Sequence, residues 1–332
     1  MTRYIQRFPD DWRQGTDLAA MRARAGLLSV IRQFFTQRNV LEVETPLLAG
    51  SFGTEPSIEP LQSEFVGPGF ADGYSLYLQS SPEFAMKRLL SAGSGAIYQI
   101  CKAFRNGEAG RRHNPEFTLL EWYRPGLSAI ELMAEIVDLV RLLLATESLP
   151  VIVIRYADLF EDVLGLDVFT SDAEDLQIYA RENNLLGADA MSLDKDGWLD
   201  LLMSSLIEPT LGLDALCFVT DYPASQASLA RLNVTDPRTA ARFELFYQGL
   251  ELANGFEELS DADEQAERFE HENCARRSNG QQAMPVDQAL LGALQSGLPA
   301  CSGVALGIDR LLMCLLNVDD IDHVINFSLS RI

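Results

Sequence analysis

The stretch Phe104-Arg105-Asn106-Gly107-Glu108-Ala109-Gly110-Arg111-Arg112-His113-Asn114-Pro115-Glu116-Phe117 decides how the rest of this chain is read. It is a polar loop between two β-prone runs, Ala96–Phe104 and Phe117–Tyr123. It presents three arginines beside a glutamate and an aromatic ring. Guanidinium forks bind phosphate bidentately and an aromatic face stacks on a base, which suits a nucleoside triphosphate; a solvated charged loop reads the same.

Towards the N-terminus the elements are well punctuated. Leu18, Met21, Ala25, Leu28, Ile31 and Phe35 recur at three and four, which predicts a helix from Asp17 to about Arg38 with Asp17 as its cap. A short β-prone run, Leu41–Pro46, follows, then a Gly- and Pro-containing loop over Ala49–Pro60. A hairpin is expected from Gln62–Val66 and Ser75–Gln79 around Gly67-Pro68-Gly69, and a helix start at Ser81-Pro82-Glu83, with Ser81 as cap and Pro82 at the first helical position.

Towards the C-terminus, helices are expected over Ala129–Leu144 and in several pieces between Tyr156 and Ile207, the latter reading as an insertion. A second hairpin runs from Arg242 to Phe256, turning at Gln248-Gly249. Strict alternation puts Glu244 opposite Ala253 and Phe246 opposite Glu251, so Glu244 and Glu251 share a face while Asn254, Phe256 and Glu258 take the other unless a kink near Gly255 intervenes. Two neighbouring carboxylates call for a cation, and Mg²⁺ takes one or two of them while sharing phosphate oxygens; two exposed glutamates on a wet face fit equally. Helices over Asp263–Arg277 and Val286–Gln295 precede Gly303-Val304-Ala305-Leu306-Gly307-Ile308-Asp309-Arg310, a strand entering a helix with an arginine just inside its start. That is an anion site or a tightly packed turn. Separated hairpins without regular βαβ alternation define an α+β class, an antiparallel sheet flanked by helices.

Composition narrows the chemistry. The 332 residues carry 26 basic and 48 acidic side chains, a net charge of −22, which repels polyphosphate and argues against a broad grip on nucleic acid. Five scattered cysteines without CxxC spacing signal neither a disulfide framework nor a zinc site, and three histidines leave few places for a histidine-based centre. No apolar run reaches the roughly 18 residues of a membrane span, and the polar stretch Met1–Arg13 lacks the greasy centre of a signal peptide, so a cytoplasmic location without membrane contact is expected.

Taken together and in this order, Leu41–Pro46, Phe104–Glu121 and Gly303–Arg310 resemble the three motifs of the class II aminoacyl-tRNA synthetases. Arg112–Thr118 and Glu251–Leu259 are similar to lysyl-tRNA synthetase segments. Ser80–Glu83, Glu121–Pro125 and Pro223–Leu229 resemble a bacterial paralogous group that attaches (R)-β-lysine to a lysine side chain of elongation factor P.

The resemblance implies one catalytic domain over residues 17–332 with a helical insertion at about 156–210, an N-terminal extension over 1–16 and no anticodon-binding domain, so that tRNA is an unlikely partner. It implies a homodimer through the first motif. ATP would meet Arg105, Asn106, Glu108, Arg112, Asn114, Phe117, Glu251, Leu252, Gly307 and Arg310, with Arg105 and Arg310 catalytic. Phe117 and the Arg310 guanidinium would sandwich adenine, and Glu244 and Glu251 would bind Mg²⁺. The amino acid would meet Ser81, Pro82, Glu83, Glu121, Tyr123, Asn254, Glu258 and Ala305. The chain departs from the lysyl pattern in three places. Arg105-Asn106-Gly107-Glu108 stands where the synthetases read Arg-Asn-Glu-Gly; Gly50–Glu55 replaces a glycine-rich loop that holds the α-amino group; and Ala305 replaces the middle glycine of the third motif. The expected activity is ATP-dependent formation of a β-lysyl adenylate and transfer to elongation factor P. The alternatives are a truncated enzyme that charges tRNA and a non-catalytic amino-acid binder.

Overall fold

The computed structural model describes residues 12–146, 148–188 and 190–332. The extension expected over 1–16 therefore lies largely outside the described residues. The chain divides into two compact units, residues 1–127 with 260–332, and residues 128–259.

In the first unit, α1 (Leu18–Gln37) starts where expected, the Asp17 carboxylate accepting the Ala20 N–H at 2.7 Å. Its inner face differs from the expected stripe. Ala20, Leu27, Ile31, Phe34 and Phe35 are buried, whereas Leu18 and Ala25 face out, because the contact is set by where the rings of Phe34 and Phe35 find partners. The chain continues through β1 (Leu41–Glu42), β2 (Leu48–Ala49), β3 (Leu61–Gly67), β4 (Phe70–Leu78), α2 (Glu83–Ser91), β5 (Ile97–Phe104) and β6 (Glu116–Pro125). Helix α2 begins at Glu83 with Pro82 at the cap position, one residue later than expected, and the Ser81 hydroxyl accepts the Glu83 N–H at 3.0 Å.

The second unit holds α3 (Ala129–Leu143), closed at its start by a reciprocal Ser128/Glu131 cap, then β7 (Val151–Arg155), α4 (Tyr156–Leu164), α5 (Ala173–Glu182), α6 (Lys195–Leu202), β8 (Leu216–Pro223), β9 (Thr239–Tyr247) and β10 (Leu250–Glu257). Its strands run in the order β7-β8-β9-β10, parallel at β7/β8 and antiparallel after that. Phe218 and Phe243 pack edge to face at 6.0 Å on one side of this sheet. Cys217, Val219 and Phe246 face the other side and join a core built from α4–α6, with Tyr156, Phe160, Trp198 and Leu202.

The first unit is completed by α7 (Ala262–Ser278), α8 (Gln288–Gly297), β11 (Cys301–Gly307) and α9 (Ile308–Leu316). Its larger sheet has the order β1-β5-β6-β11, with β1/β5 parallel and the rest antiparallel. Period-two alternation sorts the two faces. Tyr98, Trp122 and Val304 lie in one row, and Phe35 of α1 stacks on Tyr98 at 4.4 Å and meets Trp122 edge-on at 5.4 Å. The next row, Gln99, Glu121 and Ala305, points to the opposite face. Hairpins of antiparallel strands with separate helices make this an α+β fold.

Candidate active site

The opposite face of the first unit's sheet carries a buried acidic cluster. Glu121 is only 2% exposed and accepts the Ser81 hydroxyl at 2.7 Å and the Tyr123 hydroxyl at 2.6 Å. Glu83, the first residue of α2, pairs with Lys87 one turn on at 2.6 Å, and Lys87 is itself 1% exposed. Burial, reinforced by the charge of Glu83, pushes the Glu121 carboxyl up to about 8, against the two hydroxyl donors and Lys87. Ala305 sits directly across from Glu121 on β11, so its methyl shares that face. Ser81, Pro82, Glu83, Glu121, Tyr123 and Ala305, expected to meet the amino acid, are thus brought together. Lys87 and Gln99 were not anticipated; the i, i+4 spacing from Glu83 was the available signal for the lysine.

The arginine loop lies in the same unit. Arg105 extends from the end of β5 over the Phe117 ring at 5.1 Å, with one Nη 3.5 Å from Glu108. The displaced glutamate therefore reaches the arginine it neighbours. Among the described residues no hydrogen-bond acceptor meets the buried Arg105 Nε, a donor placed where an anion would be welcome. Gly110 and His113 exchange two backbone hydrogen bonds, which puts Arg111 and Arg112 at the tip. Arg111 is paired with Asp319, and Arg112 is exposed. Arg310 approaches the His113 ring at 2.6 Å, a partner sequence reading did not single out. Asn114 is committed to backbone at both ends of its amide, donating to Glu116 O at 2.7 Å and accepting the Leu329 N–H at 2.9 Å. Asp309 is buried, taking the Thr118 N–H at 2.7 Å and the Arg24 guanidinium, and so fixes the start of α9, where Gly307 and Arg310 stand.

In the second unit, β9 and β10 turn at Gln248 and Gly249, both with positive φ (53° and 67°), as a two-residue hairpin requires. The register then departs from strict alternation. Glu251 pairs with Phe246 as expected, but a bulge at Leu252 brings Ala253 opposite Leu245 and Asn254 opposite Glu244. Opposed residues point the same way, so the extra residue places Glu251, Asn254 and Phe256 on the face of Glu244. Gly255 then sits against Phe243, whose ring a Cβ there would meet at 2.3 Å. Glu244 is held by Arg242 at 2.5 Å, a neighbour on its own strand face that sequence spacing could have flagged. Burial raises the Glu244 pKa; Arg242 opposes the rise and Glu251 adds to it. Glu258 is buried as well, and among the described residues no hydrogen-bond donor meets the buried Asn254 Oδ1. Among the described residues no three acidic, histidine or cysteine side chains cluster as a metal site. Glu244 and Glu251, with an unmatched amide oxygen beside them, suit a hard cation that takes one or two carboxylates and completes its shell with phosphate and water.

Residues 1–331 match the family described as tRNA synthetases class II (D, K and N), and the chain belongs to that family. It is similar along nearly its whole length to proteins named elongation factor P--(R)-beta-lysine ligase. The protein of that name from Pseudoalteromonas translucida is 50% identical over 96% of this chain and 98% of its own. The one from Pectobacterium atrosepticum is 46% identical over the same shares, and that from Vibrio campbellii 47% over 95% and 97%.

Proposed function

We propose that this chain is an ATP-dependent, adenylate-forming ligase that activates (R)-β-lysine and passes it to a lysine side chain of elongation factor P. The observation that carries the substrate class is the buried set Glu83, Glu121 and Tyr123, two carboxyls and a phenol hydroxyl suited to an ammonium-bearing acid; the particular acid and acceptor come from the relatives' names.

The substrate carboxylate attacks the α-phosphorus in line, the bond to the bridging oxygen of the β-phosphate breaks, and pyrophosphate leaves. Arg105 holds the α-phosphate and carboxylate together, while Arg112 and Arg310 hold the outer phosphates, positioning and neutralising charge without any side-chain nucleophile. Glu244 and Glu251 would hold Mg²⁺, which when bound supplies further charge neutralisation to the phosphates. The neutral amine of the acceptor lysine then attacks the adenylate carbonyl, AMP departs, and the new amide nitrogen loses a proton. A cytoplasmic location follows from that acceptor; no helix among the described residues is long and apolar enough to cross a membrane.

The deciding experiment is ATP–pyrophosphate exchange with α-lysine and with (R)-β-lysine, followed by transfer to elongation factor P or to tRNA. Exchange favouring β-lysine with transfer to the protein is expected; transfer to tRNA alone, or no exchange, sinks the reading.

Three further outcomes are expected. Replacing Ala305 with glycine should raise kcat/KM for α-lysine relative to β-lysine by roughly tenfold, since one methyl in a tight pocket discriminates by about 1–3 kcal/mol. An unchanged ratio in the folded variant returns the preference to Gly50–Glu55. The second concerns pH. With its carboxyl raised to about 8, Glu121 is mostly protonated in the free protein at pH 7, whereas a bound ammonium favours the anion. The KM for the amino acid should therefore fall as pH rises from 7 through 8, and Glu121→Gln should flatten that slope. The unfolded chain binds fewer protons than the folded one between the two Glu121 pKa values, so this group's contribution to stability is lost as pH rises towards 8. The third is a homodimer: Leu18, Leu41 and Leu48 remain exposed on and after α1, and light scattering at micromolar concentration should give twice the chain mass.

A further inference from the structure

Helix α7 has an uncommon inner face. Its buried positions are Gln265, Phe269, Asn273 and Arg276, three polar side chains out of four. Apolar side chains of similar volume usually hold a helix at least as well, so a polar inner face points to the fixing of one particular conformation.

The conformation fixed is that of the strap before β3. Arg276, with no exposed surface, donates through Nε to Gln282 O at 2.7 Å, through Nη1 to Glu55 O at 3.0 Å and Ile58 O at 3.2 Å, and through Nη2 to Glu59 Oε1 at 3.0 Å. Gln281 adds bonds to Pro56 O at 2.8 Å and Glu59 Oε1 at 2.5 Å. The backbone of Glu59 in turn accepts the Asn106 N–H at 2.9 Å, in an isolated bridge between the strap and the arginine loop. Arg105, one residue earlier, is tied on its other side by its N–H to Pro115 O at 3.0 Å. The turn that presents Arg105 and Glu108 is thus pinned between Pro115 and Glu59, and Glu59 is where Arg276 converges with Gln281.

We propose that Arg276 is a positioning residue for the phosphate-binding turn Arg105–Glu108, acting through Glu59; this rests on the reading of Arg105 as an ATP ligand. A guanidinium fixes four acceptors in one plane, which an ammonium cannot reproduce, so lysine does not substitute for it.

The test compares Glu59→Ala, Arg276→Lys and Arg105→Ala with the wild-type enzyme. In Glu59→Ala and Arg276→Lys, KM for ATP in pyrophosphate exchange should rise roughly tenfold while KM for the amino acid stays within about twofold, because only the phosphate clamp is displaced. Amide hydrogen exchange over residues 104–110 should speed up in both. Glu59→Ala leaves the buried Arg276 guanidinium its three carbonyl acceptors but not its carboxylate, so thermal unfolding measured on both variants separates displacement of the turn from a folding failure. Unchanged KM for ATP, or both KM values rising together, overturns the proposal if Arg105→Ala is inactive. Full exchange activity in Arg105→Ala overturns the reading of the site instead, and unaltered protection over 104–110 then overturns the positioning role on its own.

Discussion

Exchanging Glu251 for glutamine is expected to lower ATP–pyrophosphate exchange by on the order of a hundredfold or more, with the fold retained. The substitution keeps side-chain volume and removes one formal charge from a site where two carboxylates are the protein's share of the proposed cation's shell. Glu251 sits at the start of β10, half-buried, and its backbone pairing with Phe246 does not depend on the carboxylate. Loss of the charge also removes a repulsion that raises Glu244, so the variant should be no less stable than the parent. Thermal unfolding and exchange measured on the same preparation separate the two effects, and near wild-type exchange would reject the metal role.

Truncating Asp309 to alanine should instead strike stability, by about 3 kcal/mol or more. Its carboxylate is buried between the Thr118 N–H and the Arg24 guanidinium, and both donors lose their acceptor at once. Arg24 keeps its bond to Val324 O at 2.8 Å, which limits the loss. Asp309→Asn retains an oxygen for one donor and should cost about half as much. Denaturant midpoints are the measurement, and a change under 1 kcal/mol in the alanine variant would show that the charge is not anchoring α9.

The elements that sequence reading placed well are those with punctuation: Asp17 before α1 and Gln248-Gly249 in the second hairpin. What escaped it lacked such marks. β7 and β8 are short apolar runs, and beside helical segments periodicity does not distinguish them from helix. The α1 stripe was misplaced because two adjacent rings, Phe34 and Phe35, are both buried, which widens the inner face beyond a simple three-four repeat. The bulge at Leu252 was invisible because nothing in Glu251-Leu252-Ala253-Asn254 announces an extra residue, and it moved Asn254 to the face of Glu244. Of the candidate site, the residue types and their order were legible, since phosphate and ammonium recognition restrict them. Their supports were not: Arg276 and Asp309 are charged side chains whose default is solvent, and only the packed structure reveals what they hold.

The pairing of Lys87 with Glu83 carries a consequence for self-modification. An aminoacyl adenylate that escapes its pocket reacts with any accessible amine, and the enzyme that makes it is the nearest protein. This chain has three lysines, Lys87, Lys102 and Lys195, among 26 basic residues. Lys87 is sealed in its ion pair, whereas Lys102 pairs with Glu116 at 3.2 Å on the surface. Charge-bearing work elsewhere falls to arginine, whose guanidinium remains protonated and does not acylate under these conditions. An enzyme so composed offers a leaked adenylate few side-chain amines of its own.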